Sequence, residues 1–599
     1  MELTGFDIGT FVAFLVLVVG VSLYVSRREK SSEDYFLAGR RLTWWLIGFS
    51  LIASNISTEH FVGMAGQAFG RVGLAIASYE WMSAITLVIV AWWLLPKFLK
   101  VGIYTMPEFL EYRFDSGTRT IMATYLMMAY VIVFLATVLY SGAQGLNGVF
   151  DFPEILHNRC NMTMEDATFW ATVAGIWSIG LIAAAYTIYG GLKAVVWSDL
   201  IQGAALIAGG GIVLYLGLKL TGGGSLVEGG GVTGGSVVDG WTKFSETNAD
   251  KLHVVLPWND KDVPWLAVFI GGLWIPNIFY WGLNQFITQR TLGAKNLTEG
   301  QRGIFLACFF KLLIPFIIVI PGIMAFQMFG DAIMAKTADN IDKAGEIAYP
   351  YMITQIMPPF LRGIMLAALA GAVMSSFNSG LNSAATIYTV DIYGKFIRKN
   401  ASPERQVRVG RIATAIIVVL ACLWAPMILG FEGVFRYIQE VWGFISPGIV
   451  AAFLVGLIFK RVPAIAAKGA LLLGPVLYAI SRIPGWIMEK HYEWQTAADG
   501  SETLFKLVRD YDTGEAVATT AAGAFTTVVY TYSTMAFLHH MGIIFLVLAG
   551  FMLVVAKLRP LEKPVTYPQS KVDTTVKPST YVIGTAIVIA TIALYVIFW

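Results

Sequence analysis

Apolar residues run through this chain in long blocks, separated by shorter stretches rich in Lys, Arg, Gly and Pro. A hydrocarbon core of about 30 Å takes about 20 apolar residues of helix to cross. Fourteen stretches meet that length, centred near Leu15, Ser54, Leu87, Met127, Trp177, Leu206, Trp274, Ile317, Leu369, Ile417, Val450, Leu473, Phe545 and Val588. The pattern predicts an all-α polytopic membrane protein of about fourteen transmembrane helices. The first block reads as a retained helix rather than a cleaved signal. Its charged flank (Arg27, Arg28, Lys30) follows the apolar run, and no small-residue cleavage site comes after it.

Lys and Arg collect on the cytoplasmic side of membrane proteins. With fourteen spans and the N-terminus outside, the inside loops are 26–42, 96–120, 189–194, 286–303, 395–411, 459–468 and 557–577. They hold 27 of the 42 Lys and Arg residues, which predicts a multi-pass protein of the cell membrane with both termini extracytoplasmic. Two long polar stretches lie outside. Residues 221–262 carry GGGSLVEGGGVTGG and read as a flexible glycine-rich loop. Residues 484–523 mix both charge signs and read as an insertion with room for a short helix.

Composition agrees and narrows the class. Hydrophobic residues make up 56% of the chain and charged residues 14%, against about 25% charged in soluble domains. That excludes a soluble multidomain enzyme and a disordered chain. A net charge of +3 forms no basic footprint for nucleic acid, and three scattered cysteines form neither a disulfide framework nor a metal cluster.

The chemistry shows where spans stop behaving as spans. In LIASNISTEHF (Leu51 to Phe61) the second span places Ser54, Asn55, Ser57, Thr58, Glu59 and His60 near mid-membrane. Polar groups there are costly and face a cavity or a partner. One Ser would simply aid helix packing; an acid and a His among six polar residues point to a site. The seventh span is interrupted in GGLWIPNIFYWGLNQ, where Pro276 lacks an N–H and disfavours helix at Ile275. Carbonyls freed by a break need a cation, water or ligand, although Pro276 alone is equally an ordinary kink. Broken helices at corresponding positions of two halves point to a secondary transporter's substrate site. Spans two to six and seven to eleven then form two five-helix inverted repeats.

The ninth span, AALAGAVMSSFNSGLNS, adds small residues for close helix approach and the paired hydroxyls of Ser375 and Ser376. Sodium is a hard cation that takes oxygen donors, as related hard cations do. Further buried ionisable positions are Glu80, Lys311 and Glu440, with Asp199 at the cytoplasmic end of the sixth span. Glu80, beside Tyr79, Trp81 and Ser83, has the composition of a sugar site; it also reads as a partner that neutralises Lys311.

At these residues the chain resembles the sodium/solute symporter family, in particular bacterial sodium/galactose symporters and animal sodium/glucose cotransporters. The resembling segments include LIASNIS, GLAIASYEWMSAI, GIYTMPEFLEYRF, GGLKAVVWSDLIQ, GGLWIPNIFYWGLNQFITQRTLGAK and AALAGAVMSSFNSGLNSAATIYTVDIY. They run from residue 40 to about 460. The resemblance implies a leucine-transporter-like fold and sodium-coupled symport of a monosaccharide by alternating access, without enzymatic chemistry. Myo-inositol or a sugar acid as substrate, or a non-transporting sugar sensor, are the alternatives. Sodium, the sugar and the lipid bilayer are the implied partners, and a monomer suffices. The implied division is a first helix and loop (1–41), a first repeat (42–220), the outer glycine-rich loop (221–262), a second repeat (263–462) and three C-terminal helices with the 484–523 insertion (463–599).

Carried over by position, the sodium site falls on the carbonyls of Ala53, Ile56 and Ala372 and the hydroxyls of Ser375 and Ser376. Sugar contacts fall on His60, Glu80, Ser83, Asn277, Lys311 and Gln439. Tyr280 matches an inner gate; Met64, Tyr79 and Phe435 match an outer one. A possible second sodium site falls on Asp199, Asn378 and Ser379, with one sodium per sugar the expectation. Three features depart from the bacterial galactose symporters: His60 stands in place of Gln, Phe134 replaces a sugar-contacting Asn, and 484–523 is longer.

Overall fold

The computed structural model describes residues 4–27, 31–57, 59–150, 152–337, 340–399, 401–430, 434–496, 502–509 and 516–599. The chain forms two compact units. One comprises Met1–Val255, Asn277–Val441 and Val565–Trp599; the other comprises Leu256–Pro276 and Trp442–Pro564.

Among the described residues, twelve helices are long and apolar enough to cross a membrane. One of them, Met164–Thr221, is two spans meeting at Gly191, where φ is 55° and ψ −148°. Only glycine fits there: a Cβ would lie 2.3 Å from the Tyr35 carbonyl oxygen. The second expected span is absent from the twelve because it is broken. Counting the divided helix as two and adding the broken one restores fourteen.

The break in the second span falls where the polar run begins. Helix Trp44–Asn55 stops at Ile56, which is extended at φ −76° and ψ 115°. A π-helical turn, Glu59–Met64, and a short helix, Ala65–Phe69, continue the span; Thr58 lies outside the described residues. The seventh span differs from expectation. Pro276 sits in the first turn of Trp274–Ile278, where a missing N–H costs no intrahelical bond. The span continues as π-helix Phe279–Leu283 and then breaks at Asn284, extended at φ −84° and ψ 125°, before helix Gln285–Leu292. The span is thus interrupted on both sides of the proline, at Ile270–Leu273 before it and at Asn284 beyond it.

The ninth span, Leu361–Ile387 continued by Tyr388–Ile397, is the most enclosed, with 94% of its apolar window buried. Its small residues permit that enclosure: a Cβ on Gly371 would meet Gln202, and one on Gly380 would meet the Phe134 ring.

The two long polar stretches, 221–262 and 484–523, hold more regular structure than their composition suggests. In 221–262, Ser225–Leu226 pairs antiparallel with Val232–Thr233, and helix Val237–Thr247 follows. Gly230 takes φ +108° there because any Cβ would lie 2.5 Å from the Met357 carbonyl. In 484–523 the described residues hold strands where a short helix was expected: Tyr492–Thr496, Glu502–Arg509 and Ala516–Ala521 form an antiparallel sheet in that order, a departure from the all-α expectation.

Candidate substrate and ion sites

Four spans deliver side chains to one buried cluster. Glu80 and Ser83 sit three residues apart on helix Ser78–Ile89, so they share a face. One carboxylate oxygen of Glu80 lies 2.6 Å from Lys311 Nζ and the other 3.5 Å from His60 Nε2. Lys311 also donates to Asn55 Oδ1 and lies 4.8 Å from the centre of the Trp281 ring. Asn55 Nδ2 donates to the Tyr280 hydroxyl at 3.0 Å. Ser83 Oγ lies 3.0 Å from Asn277 Oδ1 and 2.6 Å from the Tyr79 carbonyl. Its single proton serves one of these at a time.

Two features set this cluster apart from a closed ion pair. Asn277 Nδ2 is buried and has no hydrogen-bond partner. An unmade bond of this kind costs about 1–3 kcal/mol, so the amide is a donor waiting for an acceptor. Tyr280 supplies the apolar wall, edge-on to Trp281 at 5.0 Å and to Phe286 at 5.2 Å. Met64 and Tyr79 are buried. Gln439 is half-buried on helix Val434–Ile458, and the Phe435 side chain lies outside the described residues.

A second cluster forms where the broken span meets the ninth. Ala53, Ile56, Ala372, Ser375 and Ser376 are all buried. Ser376 Oγ donates to the Ser54 carbonyl at 3.0 Å, tying the paired serines to the break. Ser375 Oγ donates to Asp199 Oδ1 at 2.5 Å. The other Asp199 oxygen accepts from Ser50 at 2.5 Å, Ser54 at 3.2 Å and Arg290 at 3.3 Å. Arg290 also reaches Ser50 Oγ at 2.6 Å, and donates to Ser379 Oγ and the Phe286 carbonyl. The expected sodium ligands here are backbone carbonyls and two hydroxyls, oxygen donors of the kind a hard cation takes, and the Asp199 carboxylate lies one hydrogen bond away through Ser375.

The three residues of the possible second sodium site do not all converge. Asp199 and Ser379 meet through Arg290 and Ser54. Asn378 instead donates to the Tyr186 hydroxyl and leaves its own Oδ1 buried without a partner.

Sequence reasoning missed Arg290, Ser50 and the central place of Asn55. Arg290 was counted with the inside loop 286–303, yet it is fully buried. Its signal was position: it lies in the same segment as the seventh-span break. Ser50 precedes Ser54 by one helical turn, which puts both hydroxyls on one face. Phe134, which replaces a sugar-contacting Asn of the resembling symporters, packs on Phe286, with ring centres 4.7 Å apart.

The family model for the sodium:solute symporter family matches residues 35–156 and 160–474. A sodium/glucose cotransporter from Vibrio parahaemolyticus is 42% identical over 484 residues, which is 78% of this chain and 82% of the relative. A sodium/myo-inositol cotransporter from Mus musculus is 32% identical over 82% of this chain and 71% of its own length. Sodium/glucose cotransporter 1 from Ovis aries is 31% identical over 80% and 71%. The solved structure of a Na+-coupled sialic acid symporter superposes with a TM-score of 0.68, at 21% identity, over 94% of this chain and 99% of that one. That likeness gives the fold, which is leucine-transporter-like. The chain belongs to the sodium:solute symporter family: it is a multi-pass membrane protein that couples solute movement to sodium, a secondary active transporter and not an enzyme.

Proposed function

We propose that the transported solute is a monosaccharide of the glucose/galactose type, bound between the second, third, seventh and eighth spans. The observation that carries this is the buried pairing of Glu80 with both His60 and Lys311, beside the unpartnered amide of Asn277. A fixed carboxylate accepts from sugar hydroxyls, Asn277 Nδ2 donates to one, and Tyr280 and Trp281 offer apolar faces to the ring. Ser83 and Gln439 complete the polar contacts, with Met64, Tyr79 and Phe435 as the outer gate and Tyr280 as the inner one.

Sodium binds at the carbonyls of Ala53, Ile56 and Ala372 with Ser375 and Ser376. Holding the broken span to the ninth favours the state that accepts sugar from outside. Closure of the gates then exposes both ligands to the cytoplasm, and the neutral donor set lets the ion leave. The residue ranges 42–220 and 263–462 are the two repeats, a monomer is sufficient, and both termini face outside.

The 32% identity to a sodium/myo-inositol cotransporter favours a polyol as the second reading. A sugar acid is disfavoured because Lys311 is already engaged by Glu80. The test is uptake of labelled glucose into proteoliposomes with and without an inward sodium gradient, with myo-inositol and galactose as competitors. Accumulation that requires sodium and is blocked by galactose supports the proposal; uptake blocked by myo-inositol alone replaces the substrate.

A further inference from the structure

Behind Tyr280 the aromatic rings continue as a ladder. The Tyr280 ring meets Phe286 edge-on, centres 5.2 Å apart at 86°. Phe286 packs on Phe134 with the rings tilted 30° and their centres 4.7 Å apart. Tyr130, one turn before Phe134, abuts Phe286 at 6.1 Å. Its hydroxyl accepts the Phe286 N–H at 3.3 Å and donates to Asn284 Oδ1. Phe134 is 4% exposed and ends the π-helical turn Ala129–Phe134. Its ring occupies a notch on the ninth span that exists only because residue 380 is glycine: a Cβ there would lie 2.8 Å from the ring.

We propose that Phe134 is a positioning residue of the inner gate: wedged against Gly380, it holds Phe286 and through it Tyr280, and so limits sugar passage that is not coupled to sodium. The proposal rests on Tyr280 being the inner gate. Phe286 follows the seventh-span break at Asn284, so its ring cannot retreat while Phe134 fills the space behind it and Tyr130 holds its backbone. Tyr280 can swing away only into volume that Phe286 vacates. A rigid ring transmits this constraint because the close-packed interior leaves no gap to absorb the motion. Phe134 thus acts through Phe286.

Two readouts test it in purified, reconstituted protein. One is sodium-free efflux of labelled glucose. The other is the rate at which a cytoplasmic, membrane-impermeant thiol reagent modifies Ser83→Cys in a Cys160→Ser background, the other two cysteines being buried. Phe134→Ala is expected to raise both rates at least about tenfold, equal to about 1.4 kcal/mol of gate closure, with glucose KM changed by less than about threefold. Gly380→Ala, which crowds the ring out of its notch, is expected to raise them too, and adding Phe134→Leu to it to restore them. Should Phe134→Ala fail to fold, Phe134→Leu alone is read in its place, with a smaller rise. Thiol labelling equal to the parent in these variants overturns the proposal. A parent that carries no glucose, while labelling still rises, overturns the sugar reading and leaves the gate proposal standing.

Discussion

Two of the buried charge clusters, both within one compact unit, are built on opposite principles. Around Asp199 every carboxylate oxygen is filled: Ser375 takes one, and Ser50, Ser54 and Arg290 share the other. Around Glu80 the acid is shared between a Lys at 2.6 Å and a His at 3.5 Å, and the neighbouring Asn277 amide has nothing to donate to. Taking charges out of water costs several kcal/mol per ion even after relaxation, and only good geometry with full hydrogen bonding recovers it. The Asp199 cluster recovers it internally and reads as a latch between spans two, six, seven and nine. The Glu80 cluster is incomplete, and an incomplete buried polar network gains most from a hydroxylated ligand. Charge burial alone would have ranked the two alike; what separates them is that the acid is held by four donors around Asp199 but shared between one Lys and one His around Glu80.

The largest effect should come from breaking the filled cluster. Arg290→Ala leaves Asp199 buried and uncompensated, which typically costs 3–5 kcal/mol, so about that loss is expected here. Detergent-solubilised Arg290→Ala should lose its monodisperse peak or its thermal transition. Asp199→Leu combined with Arg290→Met should recover part of the stability. A stable Arg290→Ala protein would mean that Asp199 takes up a proton or an ion in place of the guanidinium.

Removing an ion contact without a charge should act on coupling rather than folding. Ser376→Ala exchanges one hydroxyl for hydrogen and changes little volume, although it releases the Ser54 carbonyl, which lies in the last turn of its helix where carbonyls lack intrahelical donors. Sodium stimulation of uptake should vanish while expression and melting stay near the parent. Full stimulation in well-folded Ser376→Ala would falsify the placement of sodium at the paired serines.

The incomplete cluster should respond through affinity. Glu80→Gln keeps the shape, removes the charge and leaves a poorer acceptor. Sugar binding is expected to weaken by at least about tenfold, or about 1.4 kcal/mol. Because Lys311 then stands unpaired, Glu80→Gln with Lys311→Gln is the sharper test: the pair should restore stability without restoring affinity. If the double variant binds sugar like the parent, Glu80 is a second latch and the contrast with Asp199 disappears.

What could be read along the chain follows from how local each signal is. Span number and the polar break at Asn55–Ile56 were legible because apolar length and mid-membrane polarity are properties of consecutive residues. The second break was assigned to Pro276 because proline is the usual breaker. In the first turn of a helix, proline forfeits nothing, and the extended residue is Asn284, whose side chain is fixed by Tyr130 from another span. Arg290 was hidden by the logic that orients the chain, since that logic assigns Lys and Arg to loops. Its partner Asp199 is far away in sequence and joins it only in the fold. The three-stranded sheet was missed for the same reason. Tyr492–Thr496 alternates weakly, and its pairing with Glu502–Arg509 and then Ala516–Ala521 is a tertiary fact. The glycine-rich loop looked flexible by composition, yet Gly230 lies where only glycine tolerates the approach of the Met357 carbonyl.

The smallest expected effect concerns stoichiometry, and it bears on the filled cluster again. A second sodium would need Asp199, Asn378 and Ser379 to face one point. Asn378 faces Tyr186, and Asp199 has no oxygen free of a hydroxyl or guanidinium donor. An ion entering there would have to displace Arg290, whose buried charge would then lack its partner. We therefore expect one sodium per sugar. Reversal potentials in proteoliposomes should give a coupling ratio of one in the parent. Asn378→Ala should leave that ratio unchanged, even if the maximal rate falls through the lost bond to Tyr186. A ratio of two that drops to one in Asn378→Ala would show that Arg290 does leave Asp199 during the cycle. The cluster described here as filled would then be the vacant one in another state.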